Sequence, residues 1–156
     1  MRFCVVKHYL DTDRDGFPHA FHCIRVAQAQ KTPERMVLAL LHDLVEDCPS
    51  TDVLADIQAE FGYNMAMDVL ALSRVEGESY GNYINRIIVH SCSQRFEGRE
   101  DDVLWVKKAD LEDNTRLERV DAKAASRFEM YKEAHAKICD ALGIDSQLEC
   151  PQSQSK

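Results

Sequence analysis

The chain has 156 residues, 45% hydrophobic and 29% charged, and carries a net charge of −8. That length suits one domain with a substantial buried core, and the acidic balance argues against a nucleic acid polymer as partner, since such binders carry a basic footprint. Apolar runs only a few residues long leave no transmembrane helix and no signal peptide to be read. The six scattered cysteines form no CxxC pair, so the expectation is a reduced, cytoplasmic protein away from the membrane.

The predicted elements are helical throughout. A first helix is expected over residues 2–9, followed by a turn-rich stretch that ends at Pro18, a residue suited to a helix's first turn. The helix it opens runs to about Gln30. Thr32-Pro33-Glu34 is a start signal, with a hydroxyl cap, a proline at the first helical position and an acid near the positive dipole end. The spacing of Met36, Val37, Leu40, Leu41 and Leu44 predicts one continuous helix up to Cys48-Pro49.

Ser50 or Thr51 is expected to cap the next helix, and Gly62 to end it. Further helices are predicted over residues 63–72, 80–90, 101–117 and 121–142, with a loop at 74–79 and a stop at Gly143. No period-2 strand pair is legible. The fold class expected is all-α, a bundle of about seven helices over residues 1–144 with a flexible tail at 145–156.

Three places break the amphipathic pattern. His22 lies on a helix that otherwise turns Phe21, Ile24 and Val26 inward. His42, Asp43, Glu46 and Asp47 interrupt an apolar helix. Asp110 and Asn114 sit where another apolar helix becomes polar. Unpaired buried charge is costly, so acids and histidines on core-facing helices call for partners, and a divalent cation is the simplest common one. His42 and Glu46 share a helix face, as do Asp43 and Asp47, and as do Asp110 and Asn114. Three helices can converge on one point of a bundle core, where bundles place metal sites. Two imidazoles and two carboxylates suit Mn, Fe, Zn or Ni better than Ca.

Taken in order, these motifs resemble the HD superfamily of metal-dependent phosphohydrolases, in particular its RelA/SpoT-like alarmone hydrolase branch. Lys7-His8, residues 13–18, His22 and Val26-Ala27 are similar to the opening of that branch. Residues 42–47 match its HDxxED box, and residues 106–110 with Asn114 its KxADxxxN motif. Residues 70–74, 77–80 and 83–86 look like a segment of its small stand-alone members.

The resemblance implies an HD-domain bundle and hydrolysis of a small nucleotide, of the guanosine-3′,5′-bis(diphosphate) 3′-pyrophosphohydrolase (ppGpp) type. It implies His22, His42, Asp43 and Asp110 as ligands of one divalent ion, manganese in the family, with zinc, iron, nickel or magnesium as alternatives. Glu46 and Asp47 would position and deprotonate the attacking water. Asn114 would hold the nucleotide, Arg14 would stand near the base, and Lys107 and Arg116 would contact phosphate. Three features depart from the pattern: His19 replaces the usual tyrosine, Cys23 replaces the proline after the metal histidine, and the basic pair near the base is reduced to Arg14 beside Asp13. The competing readings keep the site and change the substrate to a nucleoside monophosphate or NADPH, or make the chain a nucleotide-binding regulatory module with little turnover. His8, His90 and His135 are read as structural or exposed.

Overall fold

The computed structural model describes residue 12 and residues 16–48, 52–116 and 122–146. The helix expected at 2–9, the caps at 50 and 51 and the tail beyond 146 lie outside the described residues. Within them the chain forms helices α1 (Ala20–Gln28), α2 (Pro33–Leu41), α3 (Leu44–Asp47), α4 (Asp52–Phe61), α5 (Tyr63–Leu72), α6 (Tyr80–Phe96), α7 (Asp102–Arg116) and α8 (Ala122–Leu142). Among the described residues the extended pairing is one isolated bridge between Thr12 and Pro18. No helix there is long and apolar enough to cross a membrane.

Local chemistry explains the boundaries. The Thr32 side chain accepts from the Arg35 backbone N–H at 3.3 Å, with Pro33 in the first turn of α2. Ser79 caps α6 in the same way through Asn82. Gly62 separates α4 from α5 at φ 90, a conformation that costs a glycine little. Gly143 ends α8 at φ 69, with the Ile144 N–H reaching back to the Cys139 carbonyl at 3.0 Å.

The predicted continuous helix over residues 33–48 is two helices. α2 ends at Leu41, His42 and Asp43 form a turn, and α3 is a single turn. Asp43 sits at φ −94 and ψ −4, between helix and strand values, where many functional residues are found. Adjacent residues on an unbroken helix point about 100° apart. The break lets neighbouring His42 and Asp43 both face one centre. α6 also runs further than the sequence pattern suggests, to Phe96, because Ser91 and Gln94 are buried on its inner face.

α7 is the central element and packs against α1, α2, α5, α6 and α8. Its first half buries Val103, Leu104, Val106 and Lys107, and its second half buries Leu111 together with Asp110, Asp113 and Thr115. A helix surrounded on all sides is normally apolar all round. α7 instead carries polar groups into the interior on its second half, beside the faces of α1 and α2 that hold His22 and Leu38, both buried.

Candidate metal centre

Four side chains from three parts of the chain converge beside α7. His22 comes from the first turn of α1, His42 and Asp43 from the turn between α2 and α3, and Asp110 from the middle of α7. The His22 Nε2 lies 3.2 Å from Asp110 Oδ1 and 3.7 Å from Asp43 Oδ2. The His42 Nε2 lies 3.2 Å from Asp43 Oδ2 and 3.9 Å from Asp110 Oδ1. One ligand atom from each of His22, His42 and Asp110 falls within 4.8 Å of the others. All three of these residues are buried, with Asp110 4% and His42 2% exposed.

The charges in this cluster are strongly coupled. Burial opposes ionisation of every member, and mutual pairing overrides it. Hydrogen bonds to Asp110 and Asp113 raise His22 to about 9 against its burial. The negative charge of Asp43 and contact with Asp110 hold His42 well above the usual imidazole value despite desolvation. Asp43 and Asp110 are held below the carboxylate range, against burial, by His42 for the first and by Lys107 for the second. The carboxylates therefore stay ionised and demand positive charge, which protonated imidazoles supply when no cation is bound.

The donor set fits a divalent transition metal. His42 Nδ1 donates to the Ala39 carbonyl at 2.7 Å, which turns Nε2 inward. That buried Nε2 meets no hydrogen-bond partner of acceptable geometry. An inward imidazole lone pair beside two carboxylates and a second imidazole is a ligand set such an ion completes. Behind it, Asp113 accepts from His22 Nδ1 at 2.8 Å and from Arg25 Nε at 2.7 Å and Nη2 at 2.9 Å. A carboxylate behind a ligating histidine fixes the ring and raises its basicity.

Glu46 and Asp47 stand on α3, beside the cluster. Asp47 Oδ2 is 3.7 Å from His19 Nε2. Glu46 Oε1 accepts the Arg74 backbone N–H at 2.5 Å. Partial burial of its carboxyl, with the charge of Asp43 adding, raises Glu46 above the usual glutamate value. Lys107 Nζ and Asn114 Nδ2 each bond Asp110 at 2.5 Å, one to each carboxylate oxygen. The Lys107 ammonium also lies 4.9 Å from the Tyr83 ring centroid, and burial pushes the Tyr83 phenol up to about 12. Arg14 and the side chain of Arg116 lie outside the described residues. His90 and His135 are engaged elsewhere, with Asp68 and with Ser146 and Glu112.

Four contributors are not marked by the sequence motifs. His19 Nε2 lies 3.0 Å from Asp43 Oδ2, and Cys23, one helical turn along, is buried beside it. Asp113, with its Arg25 partner, supports His22 from behind. The signals existed as spacing: His19, His22 and Cys23 fall on one helix face, and so do Asp110 and Asp113. In the sequence, however, His19 and Cys23 stand out only as departures from a family pattern.

No family model matches the chain, and no curated protein matches it either. Among solved structures it is similar to that of a metazoan ortholog of SpoT, described as hydrolysing ppGpp and playing a role in starvation responses. The match has a TM-score of 0.65 at 20% identity and covers 90% of this chain and 82% of that one. The chain thus shares the all-helical fold of that structure.

Proposed function

We propose that this chain is a metal-dependent phosphohydrolase acting on a small nucleotide, with the 3′-pyrophosphohydrolase reaction on guanosine-3′,5′-bis(diphosphate) as the leading case. What supports this reading is that His22, His42 and Asp110 offer ligand atoms within 4.8 Å of one another in the interior, with Asp43 Oδ2 3.7 Å from the first imidazole and 3.2 Å from the second. These four would hold the cation, with manganese the first choice. When bound, a divalent ion there supplies a Lewis acid that withdraws charge from a phosphoryl group and acidifies water.

The chain's own residues account for the rest. Asp43, His19 and Asp47 are only partly buried, so the cluster opens toward solvent on their side. A phosphate enters there. Glu46 accepts the proton of the attacking water, helped by a pKa raised toward the working range of a general base. Its carboxyl is oriented by the Arg74 N–H. Asp47 shares the task of holding that water. Water oxygen bonds to the 3′ phosphorus and the 3′ O–P bond breaks. The nucleotide's 3′ oxygen leaves and takes up a proton to become a hydroxyl, and the phosphorus departs in pyrophosphate. Lys107 has three ammonium donors, of which Asp110 takes one. With Asn114, Arg14 and Arg116 it is assigned to holding the nucleotide and its phosphates.

The test is a nucleotide panel incubated with the protein and Mn²⁺ and resolved by product. Release of pyrophosphate from the 3′ position is expected. Orthophosphate from a nucleoside monophosphate or from NADPH would move the substrate while keeping the site. Tight nucleotide binding without turnover in Mn²⁺ would make the chain a binding module and overturn the enzyme reading.

A further inference from the structure

The geometry points to a second cation site, built from His19, Cys23 and Asp43, that shares Asp43 with the first. One ligand atom from each of these residues lies within 4.8 Å of the others. His19 is the residue preceding α1 and Cys23 lies one turn into it, so the four-residue spacing puts imidazole and thiol on the same helix face. Asp43 reaches this pair from the α2–α3 turn, with Oδ2 3.0 Å from His19 Nε2. Asp47 adds a second carboxylate 3.7 Å from the same nitrogen.

The ligand chemistry differs from that of the first site. His22, His42 and Asp110 offer nitrogen and oxygen only, whereas this group adds a soft sulfur. Thiolate, imidazole and carboxylate in one three-donor set favour zinc, or cobalt as its spectroscopic substitute. Taking up the ion converts the Cys23 thiol to thiolate, and its proton passes to solvent. The two sites are adjacent, since the His19 and His22 rings lie 5.4 Å apart between centroids. Asp43 Oδ2 lies within 3.7 Å of the His19, His22 and His42 Nε2 atoms alike. With both ions bound, the shared Asp43 carboxylate would place paired metals to stabilise both the attacking and the leaving oxygen of a displacement.

This inference goes beyond the single-ion reading above, which survives its failure. The experiment is titration of the metal-free full chain with Co²⁺, following stoichiometry and the thiolate-to-cobalt charge-transfer absorption, with Zn²⁺ stoichiometry in parallel. The wild type is expected to take up two ions per chain and to show the thiolate band. Cys23→Ser and His19→Gln should each bind one ion fewer, and Cys23→Ser should lose the band. Cys23 is buried, so far-ultraviolet circular dichroism and the melting temperature establish that its variant is folded. His19 is partly exposed, and its variant carries the test if Cys23→Ser unfolds. One ion per chain with no thiolate band in the wild type overturns the second site, as does retention of two ions by His19→Gln.

Discussion

His22 donates from Nδ1 to Asp113 Oδ2 across 2.8 Å, and this contact determines which nitrogen the ring offers to the centre. Arg25 grips the same carboxylate through two N–H groups, so Asp113 cannot swing away. These pairings hold its carboxyl at about 2 despite burial. With Nδ1 committed, Nε2 faces Asp110 and Asp43. Asp113 is therefore a positioning residue. Asp113→Asn should weaken Mn²⁺ binding by roughly 10–100-fold, the usual loss when the partner of a ligating histidine is removed. Calorimetric titration of the metal-free protein measures this directly, and unchanged affinity would remove Asp113 from the site.

Asp43 and Glu46 separate binding from chemistry. Asp43→Ala removes the carboxylate that touches His19, His22 and His42, and should abolish both Mn²⁺ uptake and turnover. Glu46→Gln should bind Mn²⁺ as before and lose about 10²–10⁴-fold in kcat, as for a missing general base. The base must be ionised, and Glu46 is raised above its ordinary value. The acid limb of the rate profile should therefore lie at higher pH than for an unperturbed glutamate, and should vanish in Glu46→Gln. An unaltered limb in that variant would assign the proton transfer to Asp47.

The helical bundle was legible because α2 repeats its apolar residues near the helical period, and because Thr32, Gly62 and Gly143 mark the start of α2, the end of α4 and the end of α8. The ordered motifs picked out His22, His42 and Asp110, whose ligand atoms lie within 4.8 Å of one another, and Asp43, which stands beside both imidazoles. The break at His42 and Asp43 was not legible, since the apolar repeat of Leu40, Leu41 and Leu44 continues across it and nothing local marks a turn. It follows from tertiary convergence, which a periodicity cannot register. Asp113 escaped notice for a related reason: an acid three residues from Asp110 on a polar half-helix looks solvent-facing until α7 is seen to be the centre of the bundle. His19 and Cys23 were visible only as exceptions to a pattern, and their proximity to Asp43 depends on a contact 24 residues apart in the chain.

Another buried carboxylate serves stability. Asp68 on α5 accepts from His90 Nε2 at 2.9 Å, from Arg99 Nη2 at 2.7 Å and from Gln94. It ties α5 to the C-terminal half of α6 and the segment after it. Asp68→Ala leaves buried Gln94 and part-buried Arg99 without their acceptor. The expected cost is about 1.5–3 kcal/mol, the range for hydrogen bonds to a charged group. Urea unfolding followed by circular dichroism measures it. Metal binding should be unaffected, because Asp68 makes no contact with the His22 and His42 cluster among its described hydrogen bonds.

Glu112 gives the fold a defined acid response. Its Oε1 accepts from Lys108 Nζ at 2.5 Å and from His135 Nε2 at 3.3 Å, which joins α7 to α8. The His135 hydrogen bond is the largest influence, followed by opposing partial burial and then Lys108, and together they lower its pKa from 4.5 to about 2. A carboxyl with a depressed folded-state pKa stabilises the fold fully above its unfolded value and loses that contribution as pH falls through the folded one. Wild type should therefore lose stability between pH 4.5 and about 2 more steeply than Glu112→Gln. At pH 7 the variant should melt at a lower temperature, and the gap should close as pH falls through that window. Thermal melts across the range provide the measurement, and a gap that stays constant down to pH 2 would mean that the Glu112 charge contributes nothing to holding α7 against α8.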